Sequence, residues 1–294
     1  MMKRIITIHD IVNLEMLLGS ADGIIIGNDR FGTRLTRSFS IDEIMSVADQ
    51  TKALQKEVFL MANQMMSDVD LEAFSDFLDE MNLELMDGIV VADLGALVVL
   101  DEKNLNHKAI YNPETLSTNF YDFNFLKEFN AMGVYAAKEV TLEDLKMIGE
   151  KKELKMFMVG HGHLNMFYSK RHLIKNYENF LGENLNLHLR QDLKIIEEKR
   201  VEEPYPILED DAGTHVFRSH VMQSLDQIHL LESFLDYFVI DTLFKDDHYG
   251  ALVSEMYQTS SFELKDKIQK LYNETWDDGF FFKKTIYKGK GGEQ

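Results

Sequence analysis

The chain has 294 residues, no cysteine and a formal net charge of −19 at pH 7. The absence of cysteine excludes disulfides, thiolate zinc sites and a cysteine-ligated iron–sulfur cluster, so no cofactor is expected. The acidic balance argues against strong direct contact with a phosphate backbone, because such contact relies on Lys and Arg. No apolar run reaches the roughly 20 residues that cross a bilayer, and no signal-peptide core is found near the N-terminus. We therefore expect a cytoplasmic protein that makes no membrane contact.

Eight short apolar runs recur along the chain, with helical patterns between them. Near-continuous apolar runs are typical of parallel strands that are covered on both faces. The predicted strands are 4–8, 23–26, 58–62, 88–91, 108–111, 133–136, 154–159 and 237–240. Helices with an apolar stripe or a capping residue are predicted at 40–48, at 70–85, at 141–149, which ends on a glycine, and at 221–235.

Strand–helix alternation repeated eight times predicts an α/β fold, a TIM-like (β/α)8 barrel, with a doubly wound open sheet as the main rival. The long gap between the seventh and eighth strands predicts an insertion, 161–235, at the C-terminal mouth of the barrel. Within it, 206–208 and 214–217 are predicted to form a hairpin. We expect one domain over 1–287, followed by a flexible tail at 288–294.

Three histidines at the start of the predicted insertion raise the question of a metal site. His161 and His163 follow the seventh strand, and His172 comes soon after them. They are only weak candidates for metal ligands, because no HExxH motif accompanies them. Structural or hydrogen-bonding histidines are favoured, and no metal is expected. His161 and Glu139, which follows the sixth strand, are the candidate catalytic residues in a chain without a nucleophile motif.

Polar residues that follow predicted strands form the first part of the candidate ligand-binding set. In a barrel such residues converge on the mouth, but they also serve as hydrogen-bond partners of loop backbones, and both interpretations stay open. The loop after the second strand contains glycines and two arginines, a combination that can hold an anion. The residues in question are Asn28, Arg30, Arg34, Asn63, Asp93, Asn119 and Glu139.

Several motifs, in order along nearly the whole chain, resemble those of one family. His161-Gly162 ends a strand, and the run NMFYSKRHLIKNY follows at 165–177. Further matches are Asn13-Leu14-Glu15, Phe31-Gly32-x-Arg34, Asp93-x-Gly95, Lys138-Glu139, Asp210-Asp211-x-Gly213-Thr214, and Gly279-Phe280-Phe281 with Lys284-Thr285-x-Tyr287. This ordered set resembles the collagenase-like peptidases of unassigned mechanism, peptidase family U32. Through the resemblance, Lys138, His161, Asn165, Lys170 and Arg171 join the candidate ligand-binding residues.

The departures from the family pattern concern its cysteines. Where fuller members place four cysteines, this chain has Asn165, His172, Leu185 and Leu189, which implies that it holds no family-type iron–sulfur cluster. Some members of the family are peptidases. Others act in oxygen-independent hydroxylation, including the prephenate-dependent formation of 5-hydroxyuridine in tRNA.

The chain resembles a short, cysteine-free branch of the family, which implies a non-catalytic or accessory subunit in tRNA wobble-uridine hydroxylation. Such a subunit would pair with a longer, cysteine-bearing paralogue and would meet tRNA only indirectly. Two alternatives stay open. One is a collagenase-like peptidase, a hydrolase, and the other is a barrel that binds a small anionic metabolite near Arg30, Arg34 and Lys170.

Overall fold

The computed structural model describes residues 1–198 and 201–282. Its strands are β1 Lys3–Thr7, β2 Gly23–Gly27, β3 Glu57–Ala62, β4 Gly88–Val91, β5 Ala109–Tyr111, β6 Gly133–Tyr135, β7 Lys155–His161, β8 Asn165–Ser169, β9 Lys194–Ile195, β10 Tyr205–Asp210, β11 Gly213–Phe217, β12 Val221–Met222, β13 Tyr237–Ile240 and β14 Trp276–Asp277. Its α-helices are α1 Leu14–Leu18, α2 Ile41–Ala53, α3 Asp68–Asp79, α4 Leu94–Glu102, α5 Phe120–Phe125, α6 Leu142–Lys151, α7 Leu173–Leu181, α8 Ile228–Leu231, α9 Asp247–Thr259 and α10 Phe262–Tyr272.

Eight parallel strands close into a barrel in the order β1-β13-β7-β6-β5-β4-β3-β2. The ring closes through β13, which pairs with β1 on one side and with β7 on the other. The predicted TIM-like barrel is therefore confirmed, and the rival open sheet is wrong because the barrel strands leave no edge unpaired. Each of the eight predicted strands is present.

The barrel strands bury both of their faces. Inside the barrel lie Ile5, Ile25, Phe59, Val90, Ile110, Tyr135, Phe157, Tyr237 and Val239. Two of these rings, Phe157 and Tyr237, stack with their centroids 4.3 Å apart. The opposite faces of the strands pack under the helices in a larger core that includes Ile6, Ile24 and Phe238. Burial on both faces explains why these strands are continuous apolar runs in the sequence.

Three of the four predicted helices are present, with differences at their ends. The capping box at the start of α2 is present, with Ser40 and Glu43 bonding to each other's backbone N–H. α3 ends at Asp79, and Leu83–Leu85 forms a separate 3-10 turn. α6 does not end at Gly149 but continues to Lys151. A Cβ at Gly149 would lie 2.4 Å from the ring of Phe234, so this glycine permits close packing inside the helix.

The helix predicted over 221–235 is wrong for most of its length. β12 begins there and pairs in parallel with β14, with Val221 opposite Trp276. A 3-10 turn, Leu225–Gln227, follows, and only Ile228–Leu231 is α-helical. The partner strand comes from the far end of the chain, so a local periodic pattern carries no information about it.

The segment between β7 and β13 adds a four-stranded sheet, in the order β8-β11-β10-β9, with α7 packed on it. The predicted hairpin is confirmed as β10 and β11, which pair antiparallel from Ile207–Val216 to Asp210–Gly213. The loop ends on Gly213, whose φ of +135° and close approach to the Ser169 carbonyl favour glycine. We call this sheet with α7 the insertion. The predicted tail, 288–294, and the motif at 284–287 lie outside the described residues. Within the described ranges, no helix has the length and apolar character to cross a membrane.

Candidate functional site

A cavity of about 70 Å³ lies at the C-terminal mouth of the barrel, and we call it the mouth cavity. Parallel strands all point their C-terminal ends toward this face, so polar residues at strand ends meet there. The polar side chains that line it include Thr7, Thr33, Arg34, Asn63, Asn112, Glu114, Tyr135 and Asp241. A second cavity of about 40 Å³ shares Asn112, Glu114 and Tyr135 and is bounded by Lys138.

One carboxylate holds two cations at the cavity wall. Glu114 accepts from Arg34 Nη2 at 2.6 Å and from Lys138 Nζ with its other oxygen. Both cationic side chains are only 10% exposed. Burial opposes ionisation of Glu114, but Arg34 and Lys138 outweigh it and lower the pKa of that carboxyl to about 2. Glu114 therefore offsets one of the two positive charges and holds both cations by hydrogen bonds within the protein.

The insertion closes one side of the mouth through Asp210. Its Oδ2 accepts from Thr33 Oγ1 at 2.7 Å and from the backbone N–H of Arg34 at 2.9 Å. Arg34 has a φ of +57°, a left-handed conformation that such contacts must hold in place. On the barrel side, the N–H of Thr33 donates to Asn63 Oδ1 at 3.0 Å. The loop after β2 is thus fixed between a barrel strand and the insertion.

His215 lies beneath this loop and contacts both Asp210 and Thr33. Its Nε2 is 3.0 Å from both Asp210 Oδ1 and Thr33 Oγ1, and its ring stacks on Tyr168. Its Nδ1 faces Arg34 Nη1 at 3.4 Å, a cationic donor, so we assign the single proton to Nε2. Burial lowers the pKa of His215, and the nearby guanidinium of Arg34 adds to that effect. The imidazole is consequently neutral at pH 7.

Two further groups at the mouth cavity resist ionisation. The hydroxyl of Tyr135 is buried and has no hydrogen-bond partner, and burial raises the pKa of this phenol. Removal from water also raises the pKa of Asp241, which follows β13 and accepts from the Leu243 N–H at 3.0 Å. An unsatisfied buried hydroxyl costs free energy unless a ligand or water meets it. Tyr135 therefore offers one hydrogen bond to an occupant of the cavity.

Of the predicted ligand-binding residues, Arg34 and Asn63 line the mouth cavity and Lys138 lines its neighbour. Asn28 instead spans the β2 loop, donating to the Phe39 carbonyl at 2.8 Å. Asp93 caps α4 and also accepts from the Met66 N–H. Asn119 caps α5. For these last three side chains the structure favours the backbone-bonding interpretation.

The remaining predicted ligand-binding residues lie elsewhere. Arg30, Lys170 and Arg171 are exposed, and none of them lines either cavity. Asn165 is buried in the insertion, where its amide donates to the Phe167 and Val216 carbonyls. Glu139, a candidate catalytic residue, is exposed and lines neither cavity.

The three histidines that raised a metal hypothesis do not meet. His161 is fully buried between β7 and α9, with Nε2 2.8 Å from the Tyr249 hydroxyl and Nδ1 3.1 Å from that of Tyr257. Burial lowers the pKa of His161 to about 3. His163 bonds to the Arg218 carbonyl, and His172 is half-exposed beside Glu209. Among residues 1–198 and 201–282, no three His, Cys, Asp or Glu side chains are grouped so as to hold a metal ion.

Sequence reasoning missed most of the groups that meet at the mouth. They are Thr7, Thr33, Asn112, Glu114, Tyr135, Asp210, His215 and Asp241. Asn112 and Asp241 directly follow their strands, and this position alone would have identified them. Asp210 belongs to the hairpin motif of the family resemblance. Glu114, in the loop after β5, and His215, on β11, carry no local signal, because only the fold brings them to Arg34.

Comparison with known proteins agrees with this fold and with the resemblance in the sequence. The tRNA hydroxylation protein P2 of Bacillus subtilis is 26% identical over 93% of this chain and 95% of its own length. An uncharacterized protease of Methanocaldococcus jannaschii is 24% identical over 90% of this chain and 68% of its own length. The structure of the U32 peptidase Mk0906 covers 82% of this chain and 92% of that one, with a TM-score of 0.52 at 16% identity, which supports the fold alone. The profile of peptidase family U32 matches residues 14–289. The chain therefore belongs to peptidase family U32.

Proposed function

We propose that this chain is an accessory subunit, without catalytic activity of its own, in the oxygen-independent hydroxylation of a tRNA wobble uridine. The observation that carries the proposal is the match to tRNA hydroxylation protein P2, which extends over nearly the full length of both chains. Two further relatives support it. They are the tRNA hydroxylation protein P1 of Bacillus subtilis, matched over 37% of its length, and a 23S rRNA 5-hydroxycytidine synthase of Escherichia coli, matched over 36%.

A longer, cysteine-bearing paralogue is the partner that the proposal requires. Because iron–sulfur clusters are held by cysteine thiolates and this chain has none, a cluster would belong to the partner. At the positions where the resemblance implies cysteines, Leu185 and Leu189 are exposed leucines. The net charge of −19 supports a division in which the partner makes most RNA contacts and this chain meets tRNA indirectly. The complex would act in the cytoplasm.

The mouth of the barrel supports an accessory role. Arg34 and Lys138 are both held by Glu114, and Asp210 is held by Thr33 and by the backbone of Arg34. Groups that are fully bonded to each other stabilise an architecture but have little freedom to transfer protons or bind charge. The chain would thus act chiefly through its shape and its partner.

The peptidase alternative receives no support from this geometry. Thr33, His215 and Asp210 share the residue types of a catalytic triad but not its arrangement. In a triad the hydroxyl and the carboxylate bond to opposite imidazole nitrogens, whereas here both meet Nε2. The Thr33 hydroxyl donates to Asp210, so His215 is not placed to take its proton.

A small ligand in the mouth cavity is a second candidate function, because the Tyr135 hydroxyl is buried there without a partner. An anion in this place would have to compete with Glu114 for Arg34. Isothermal titration with prephenate, using Tyr135→Phe as the matched variant, tests it. Binding that the variant loses supports a ligand at this cavity, and absence of heat with the wild-type chain contradicts it for this anion.

Expression of the two subunits in cells that lack both genes tests the accessory role. The account predicts that neither this chain alone nor the paralogue alone restores wild-type levels of 5-hydroxyuridine derivatives in tRNA, and that both together do. Nucleoside mass spectrometry provides the measurement. Restoration by this chain alone would show that it is catalytic and would refute the accessory role.

A further inference from the structure

Exposed apolar side chains are concentrated in the insertion. Within the described residues, roughly two fifths of the exposed large apolar side chains fall between Met166 and Val201, a segment that makes up about an eighth of the described chain. Single exposed apolar residues are normal on a protein surface, but a concentration of them indicates an interaction site. The insertion is therefore the first place to look for a docking surface.

Helix α7 organises the centre of this surface. Leu173, Tyr177, Phe180 and Leu181 are spaced as i, i+4, i+7 and i+8, which places them on one stripe. All four are exposed, and Phe180 keeps 85% of its surface. The neighbouring stripe, Ile174 and Glu178, faces the protein and is buried. An amphipathic helix normally buries its apolar stripe, so we name these four residues the α7 stripe and ask what covers it.

The charges beside the stripe indicate the nature of the partner. Lys170 and Arg171 precede α7 and are exposed, in a chain whose net charge is −19. A second copy related by two-fold symmetry would bring these basic residues toward the same apolar patch on both sides, which like charges disfavour. RNA would meet phosphate-binding cations here, but two of the four stripe side chains are leucines, which offer bases no ring to stack on. The surface fits a protein with an apolar centre and carboxylates at its rim.

The place of α7 in the fold connects this surface to the mouth of the barrel. The N-terminus of α7 is fixed by Glu209, which accepts from the N–H groups of Ile174 and Lys175. The next residue of β10, Asp210, holds Thr33 at the mouth cavity. A partner that docks on the α7 stripe would therefore be joined to the mouth by a short, hydrogen-bonded path.

We propose that the α7 stripe, flanked by Lys170 and Arg171, is the surface on which the cysteine-bearing paralogue docks, through an apolar area of its own that is ringed by carboxylates. This inference rests on the proposed function for the identity of the partner. It adds the location of the interface, which the likeness to other family members does not specify.

Binding of the purified paralogue to three forms of the full chain tests the proposal. The forms are the wild type, Phe180→Ala, and the matched control Phe262→Ala, which removes an exposed phenylalanine from α10. Loss of a central aromatic contact typically weakens an interface at least tenfold. We expect at least a tenfold higher dissociation constant for Phe180→Ala, no change for Phe262→Ala, and equal melting temperatures for the wild type and Phe180→Ala. Reversal of Lys170 and Arg171 to glutamate should slow association and reduce its dependence on salt.

The outcomes separate this inference from the function on which it rests. If the paralogue binds the wild type and Phe180→Ala equally, the α7 stripe is not the interface, while the pairing itself stands. If the wild type does not bind the paralogue, the pairing fails and the docking surface fails with it. If Phe180→Ala instead changes the oligomeric state of the chain alone, or its retention of tRNA, then a second copy or RNA covers the stripe and the proposal is overturned.

Discussion

Substitution of Glu114 by glutamine is the sharpest test of the charge arrangement at the barrel mouth. Gln keeps the size of the side chain and one acceptor oxygen but removes the negative charge. Arg34 and Lys138, each 10% exposed, would then face one another without a counterion. We expect Glu114→Gln to lower the free energy of unfolding at pH 7.

Two arguments give a similar magnitude for this loss. Breaking a buried ion pair by removing one partner costs about 3–5 kcal/mol, and the 29% exposure of the Glu114 side chain favours the lower end. The pKa of Glu114 falls from an ordinary 4.5 to about 2, which at ~1.4 kcal/mol per unit corresponds to roughly 3 kcal/mol. Because the folded-state pKa is the lower one, this stability is complete above pH 4.5 and is lost as pH falls toward 2.

Urea denaturation of the wild type and Glu114→Gln at pH 7 and at pH 3 measures the size and the pH dependence of the loss in free energy of unfolding. We expect a difference of about 3 kcal/mol at pH 7 and about half of it or less at pH 3. Glu153→Gln is the control, because Glu153 pairs with Lys127 at the surface. This substitution should change the free energy of unfolding by less than about 1 kcal/mol. A difference below ~0.5 kcal/mol at pH 7 would refute the reasoning, as would one that is unchanged at pH 3.

Four other substitutions probe the barrel and its helix ends through thermal or urea unfolding. His161→Ala should cost about 3 kcal/mol, because it leaves a void and removes one hydrogen bond from each of two buried tyrosine hydroxyls. EDTA should not change the wild-type melting temperature. Gly160→Ala should cost about 3 kcal/mol or more, because its Cβ would lie 2.0 Å from the ring of Phe238. Gly182→Ala is the matched variant: a Cβ there meets open space but the residue has a φ of +71°, so it should cost about 1 kcal/mol. Asp93→Ala should cost about 1–2 kcal/mol through the lost cap of α4 and should leave ligand binding at the mouth cavity unchanged. Equal stabilities for the two glycine variants, or an EDTA effect, would contradict these assignments.

The barrel could be predicted from the sequence because each of its strands is buried on both faces. The apolar runs at Gly23–Gly27 and Gly88–Val91 owe their composition to that burial, and they are legible without any tertiary information. β12 could not be predicted, because its partner β14 lies far away in the chain. The apolar periodicity at 221–235 therefore predicts a helix, although most of these residues pack in a strand and turns.

The candidate site could be predicted only in part, because some of its residues are brought together by the fold and not by their spacing in the sequence. Asn63 and Arg34 follow strands and do reach the mouth cavity. Asp93 also follows a strand, but the helix that begins there needs a polar N-cap residue. Asp93 serves as that N-cap and does not line the mouth cavity. Glu114, whose position depends on the loop after β5, was missed because no spacing relates it to Arg34.

The central claim is a role in tRNA hydroxylation, and the tRNA nucleosides of cells that lack this gene test it most directly. The measurement is mass spectrometry of 5-hydroxyuridine and its derivatives in purified tRNA, with the gene restored on a plasmid as the control. The account predicts that these nucleosides are lost in the deletion strain and return with the plasmid. Unchanged levels in the deletion strain would contradict the claim.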